Sequence, residues 1–188
     1  MPTADKALRR LLQLAYSAER AAAFAYQGHA GSVRAADEKQ ALARIEAEEW
    51  HHRNCVGEII EALGLTPSRT YEIKYWLIGR VISLSCYFIG GFMPCFFAGR
   101  LESGNVNEYI ELKRLLNRAG HHQWDEVVIE MTEVEKEHEI YFAQLIKGHR
   151  MLPLFSAVFR WGPRRSLNSW TLRDSSPNPA LDRSPTTG

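Results

Sequence analysis

The sequence predicts an all-α protein: a four-helix bundle with an additional hydrophobic helical segment and a disordered C-terminal tail. Apolar residues recur at steps of three and four through most of the chain, and glycine or proline clusters separate one such stripe from the next. A Glu-x-x-His pair occurs twice, each time inside a stripe.

The first helix is expected over residues 5–28, where Leu8, Leu12, Ala15, Ala22 and Tyr26 form one face and Gly28 and Gly31 supply a stop. The second should cover 34–63, with Leu42, Ile45, Val56, Ile59 and Leu63 inward and Gly64 and Pro67 ending it. Residues 68–97 are aromatic and apolar, and Gly90, Gly91 and Pro94 split them into two helical pieces. The third bundle helix is expected over 94–117. The fourth should span 123–147, carrying Val128, Met131, Phe142 and Leu145 inward. Residues 1–162 form one domain on this reading, and residues 163–188, rich in Pro, Ser and Arg without periodicity, form the disordered tail.

Composition narrows the function classes. A chain of 188 residues, 45% hydrophobic, can bury one good core and is short for two domains. Its 23 Lys and Arg against 22 Asp and Glu give a net charge of +1, which creates no field suited to nucleic acid as a partner. Cys55, Cys86 and Cys95 lack CxxC spacing, which argues against a disulfide framework and a thiolate zinc site and for a reducing compartment. Charged residues interrupt the N-terminal apolar run, so no secretory signal is expected and the location is cytoplasmic.

The paired motifs are Glu49-Trp-His-His52 in the second helix and Glu135-Lys-Glu-His138 in the fourth. Spacing i, i+3 puts both side chains on one face, where they can reach the same ion. Glu48 and His51 form a competing pair, and periodicity decides between them. Leu42, Ile45, Glu49, His52, Val56 and Ile59 make an apolar stripe broken only by the proposed ligands, whereas Arg44, Glu48, His51, Cys55 and Glu58 read as a solvated flank. Polar groups inside an apolar stripe cost several kcal/mol unless something compensates them, and a metal would.

Glu19 is the sole acidic candidate in the first helix, between Ala15 and Ala22. Of Glu102, Glu108 and Glu111 in the third, Glu102 aligns with Val106, Tyr109, Leu112 and Leu116. Carboxylate and imidazole donors suit iron, manganese or zinc. Two Glu-x-x-His pairs with one Glu from each of two other helices is the ligand set of ferritin-like dimetal bundles. The expected metal ligands are therefore Glu19, Glu49, His52, Glu102, Glu135 and His138, holding two iron ions, with manganese as the alternative.

At these residues the chain resembles the demethoxyubiquinone hydroxylase family of ferritin-like di-iron enzymes, over residues 11–149. Glu19 is followed two turns later by Tyr26 and then Gln27-Gly28. Ala98-Gly-Arg-Leu-Glu102 with Val106 and Tyr109 is similar to the family's Ala-Val-Glu segment with its later Tyr. The chain departs from the family at Arg53, where Leu is usual, and at Glu108, where His is usual.

The resemblance implies a di-iron monooxygenase that uses O2 to hydroxylate an apolar quinol or quinone-like ring, as in ubiquinone biosynthesis. Electrons would come from the quinol or a partner reductase. It gives Tyr109 a catalytic place, in hydrogen bonding or electron transfer beside the metals. No GxGxxG fingerprint suggests a resident organic cofactor.

An apolar substrate would give the aromatic segment 76–97 a purpose, as a peripheral contact on the inner face of a membrane. The alternative is that the segment packs as core or as a homodimer interface. Residues 152–161, with Leu154, Phe155, Val158, Phe159 and Trp161 among arginines, offer a second contact. Two other dimetal activities compete with the hydroxylase reading: a ferritin-like ferroxidase and a peroxide-scavenging protein, neither needing an organic substrate.

Overall fold

A computed structural model describes residues 2–163, and among them the chain is all-helical, without a strand. Helix α1 is Pro2–Ser32, α2 Ala36–Ala62, α3 Arg69–Ser85, α4 Phe92–Arg118, α5 Asp125–Leu145 and α6 Leu152–Phe159, with a 3-10 turn at His122–Trp124. The tail expected over residues 163–188 lies, from 164 onward, outside the described residues. Helices α2 and α4 end where the sequence places glycine: Gly64 and Gly120 take φ of 64° and 86°, left-handed backbone that ends a helix without steric cost only at glycine. Pro94 sits in the first turn of α4, where its missing N–H has no helical partner to lose.

Helices α1, α2, α4 and α5 share the interior, and the apolar side chains divide into two clusters. One joins Leu8 and Leu12 of α1 to Val56 and Ile59 of α2, Leu112 and Leu116 of α4, and Val128 and Met131 of α5. The other joins Tyr26, Leu42, Ile45, Phe96 and Phe142. Each fully buried side chain of this size stabilises the fold by about 1.5–3 kcal/mol. Along every one of these four helices the two clusters are separated by a short polar stretch, so the proposed ligands form a layer between two apolar blocks.

Helix α3 lies against α1 by close backbone approach. A Cβ at Gly79 would stand 2.7 Å from Ala21 Cα, and one at Gly28 would meet the Ser83 carbonyl oxygen at 2.3 Å. This corrects the expectation that Gly28 and Gly31 stop the first helix: α1 runs through both to Ser32, and the missing side chains make room for Ser83 and for the Tyr87 hydroxyl. Arg53 finds its partner here as well. It stacks over the Tyr16 ring at 3.7 Å and pairs with Glu72 of α3 at 2.7 Å, beside Ser17, which donates to the same carboxylate at 2.8 Å.

Two further expectations change. Leu145 is exposed rather than inward, because past Phe142 the buried face of α5 rotates onto Ala143 and Ile146. Trp161 is buried and belongs to no outer contact: its ring packs on Phe96 and fills the space above Gly99. Leu154 and Val158 of α6 do remain exposed, as do Ile73, Leu77, Val81 and Leu84 along α3 and Phe88 after it. Among the described residues no helix is long and apolar enough to cross a membrane.

Candidate metal centre

The six predicted ligands converge. Glu19 comes from α1, Glu49 and His52 from α2, Glu102 from α4, and Glu135 and His138 from α5, and all are at most 3% exposed. Their donor atoms form two groups, Glu19–Glu49–His52–Glu135 and Glu49–Glu102–Glu135–His138, with the atoms of each group within 4.8 Å of one another. Glu49 and Glu135 belong to both. Two shared carboxylates between two four-donor groups is the arrangement a pair of bridged ions requires.

Direct contacts hold the donors close. His52 Nδ1 lies 3.1 Å from Glu135 Oε1, and His138 Nδ1 lies 3.4 Å from Glu49 Oε1. Yet several buried donor atoms have no hydrogen-bond partner: Glu19 Oε2, both oxygens of Glu49, His52 Nε2 and His138 Nδ1. Leaving such atoms unsatisfied costs about 1–3 kcal/mol each. These orphans and the donor types fit a pair of divalent cations, whose charge would balance that of the carboxylates Glu19, Glu49, Glu102 and Glu135.

Without metal, protons take that place. Burial, reinforced by the Glu49 and Glu135 carboxylates, pushes Glu19 well above the usual range, and burial with Glu135 does the same to Glu102. Glu135 goes the other way. Burial alone would raise it, but hydrogen bonds with Glu102, His138 and His52 hold it well below the ordinary value. Burial alone would lower His138, and its contacts with Glu135, Glu48 and Glu49 instead raise it to about 12. His52 is raised through Glu135 despite its burial.

A second ring of residues orients these ligands. Tyr109 donates its hydroxyl to Glu19 Oε1, one of the six predicted ligands. Tyr26 donates to Glu102 Oε1. Asn105 Nδ2 reaches Glu102 Oε2 at 3.0 Å and Glu135 Oε2 at 3.4 Å.

Glu48 departs from the solvated flank assigned to it: its Oε2 lies 2.8 Å from His138 Nε2. Its carboxyl is held low by that bond, so it accepts the Nε2–H hydrogen bond and leaves Nδ1 facing the ligand cluster. Sequence reasoning set Glu48 aside with the flank and missed Asn105; both stand off the apolar stripes. Only their neighbourhood to ligands along the chain could have pointed to them.

A cavity of about 310 Å³ adjoins the layer between α1, the end of α3 and the start of α4. Ala25, Ile82, Ile89, Met93 and Phe97 line it, and Glu102 and Asn105 border it. A larger space of about 830 Å³ lies beside α6, and none of the six ligands borders it. Proximity to Glu102 makes the smaller one relevant to chemistry.

Fold and site together define an all-helical protein whose interior carries a Glu/His cluster compatible with a dimetal centre. Comparison of the chain with models of known families, with curated proteins and with solved structures returns no match.

Proposed function

We propose that this protein is a ferritin-like di-iron monooxygenase that uses O2 to hydroxylate an apolar quinol or quinone-like ring. The observation that carries this reading is the contact, at Glu102, between a buried layer of four carboxylates and two imidazoles and a cavity with apolar walls. In the reaction one oxygen atom enters a ring carbon–hydrogen bond and the other leaves as water, with two electrons and two protons drawn from a quinol that becomes the quinone, or the electrons from a partner reductase and the protons from solvent.

Glu19, Glu49, His52 and Glu135 would hold one iron and Glu49, Glu102, Glu135 and His138 the other. Bound there, the irons supply the redox chemistry that activates O2. The chain's own residues set the conditions for it. Tyr109 fixes one oxygen of Glu19 and leaves the other free, while Tyr26 and Asn105 fix Glu102 at the cavity wall. Glu48 keeps the His138 proton on Nε2, so Nδ1 is available as a ligand. Ile82, Met93 and Phe97 exclude water from the side where an apolar ring would sit.

The exposed apolar side chains of α3, set among Arg69, Lys74 and Arg80, support a peripheral contact with a membrane that holds such a substrate. Flotation of the protein with anionic vesicles tests that contact. Recovery of all the protein in the vesicle-free fraction would favour a homodimer through the same face.

For the reaction, protein loaded anaerobically with Fe(II) is exposed to isotopically labelled O2 with a short-tailed quinol, followed by Mössbauer and mass spectrometry. Two irons per chain as a coupled diferric product, and label in the quinol ring, are expected. Iron oxidised without label in any ring would favour a ferroxidase. Less than one iron per chain, with no reaction, would overturn the dimetal reading.

A further inference from the structure

Away from the Glu/His layer, three donors of different chemistry meet where α1, α2 and α4 come together. His29 Nε2 of α1 lies 3.8 Å from Cys95 Sγ of α4, and with a carboxylate oxygen of Glu38, in the first turn of α2, the three donor atoms lie within 4.8 Å of one another. His29 and Cys95 are buried and Glu38 is half-buried. None of the three belongs to the dimetal layer. At the helical rise, His29 is about 15 Å along α1 from Glu19, and Cys95 about 10 Å along α4 from Glu102.

We propose that His29, Glu38 and Cys95 form a separate, mononuclear metal site of the zinc class, pinning α1, α2 and α4 to one another at this end of the bundle. Nitrogen, carboxylate oxygen and thiolate are the donors that zinc takes, and three protein ligands leave a fourth tetrahedral position for water. A thiol and an imidazole at 3.8 Å need close by only a few tenths of an ångström to reach the separation of two donors on one tetrahedral ion.

The surroundings suit the same role. The His29 ring stacks on Phe142 at 6.3 Å and 16°, which restrains its plane. Burial lowers His29 to about 4, so the imidazole stays neutral and keeps its lone pair at physiological pH. Burial raises the Cys95 thiol to about 12, so it gives no useful thiolate until a cation displaces the proton. The pair is therefore poorly suited to nucleophilic chemistry and well suited to binding an ion. Glu38 brings a carboxylate oxygen to the site from a half-buried position.

Cobalt(II) makes this site visible apart from the dimetal layer, because only a thiolate ligand gives a strong sulfur-to-cobalt charge-transfer band in the near ultraviolet, and the six layer ligands include no cysteine. Chelator-stripped full-length protein is titrated with cobalt(II). The wild type should develop the band, Cys95→Ser should lose it and Cys86→Ser should keep it. His29→Ala and Glu38→Gln should weaken the titration by at least about tenfold, the loss that even an outer-shell partner causes. No band in the wild type, a band that survives Cys95→Ser, or unchanged affinity in both His29→Ala and Glu38→Gln would overturn the proposal. Absence of the band in the wild type overturns the proposal even if a variant fails to fold.

Discussion

His138 of α5 donates its Nε2 proton to Glu48 of α2 at 2.8 Å, and this bond between residues ninety positions apart fixes which nitrogen faces the ligand cluster. Nδ1 makes no hydrogen bond and lies 3.4 Å from Glu49 Oε1. Glu48→Ala should therefore weaken metal binding about 10–100-fold with little change in helix content, read by competition with a chelating dye. Unchanged affinity would mean that the bond has no part in orienting His138.

Glu49 buries two carboxylate oxygens without a hydrogen-bond partner. Glu49→Leu should abolish loading at both ion positions, since Glu49 belongs to both donor groups, read as metal content per chain after reconstitution. One ion retained per chain would show that Glu49 is not shared between the two positions.

The metal-free protein should lose stability as pH rises. His138, raised from 6.5 to about 12, contributes stability that is complete below 6.5 and is lost as pH climbs toward 12. Glu19 and Glu102, raised above 4.5, act in the same direction, since the folded chain holds protons that the unfolded chain has released. Bound metal displaces these protons, so loading should release more than one proton and tighten with pH, measurable by pH-stat. Loading without proton release would contradict the assignment of these groups as ligands.

Ala25 lines the 310 Å³ cavity from the α1 side and is not one of the six predicted ligands. Ala25→Trp should suppress ring hydroxylation at least about tenfold while iron loading and oxidation continue, because the added ring fills the substrate space and spares the ligand layer. Equal suppression of iron oxidation would mean that the cavity carries something other than an organic ring.

Gly28 lies against the Ser83 backbone, where any Cβ clashes. Gly28→Val should separate α3 from α1 and speed amide exchange in α3, with the core of α2 and α5 still protected. Exchange unchanged in α3 would show that the close approach is dispensable.

Helix existence and the ligand faces were legible because both are local. A turn of 3.6 residues puts Glu49 beside His52 and Glu135 beside His138 whatever else the chain does, and it carries Leu12, Glu19 and Tyr26 along one stripe. Glycine was legible only in part. Gly64 and Gly120 end helices as their spacing suggests, but Gly28 serves a neighbour 55 residues later, which no local pattern announces.

The amino-acid order alone determined an all-helical chain with two acid-imidazole pairs inside apolar stripes. Tertiary packing decided the rest: the pairing of Glu48 with His138, the reach of Tyr26 to Glu102 and Tyr109 to Glu19, and the meeting of His29, Glu38 and Cys95. Those contacts depend on how each helix is rotated about its axis against the others, and that rotation follows from the interlocking of side chains such as Ile45, Phe96 and Phe142, a property of all four helices together.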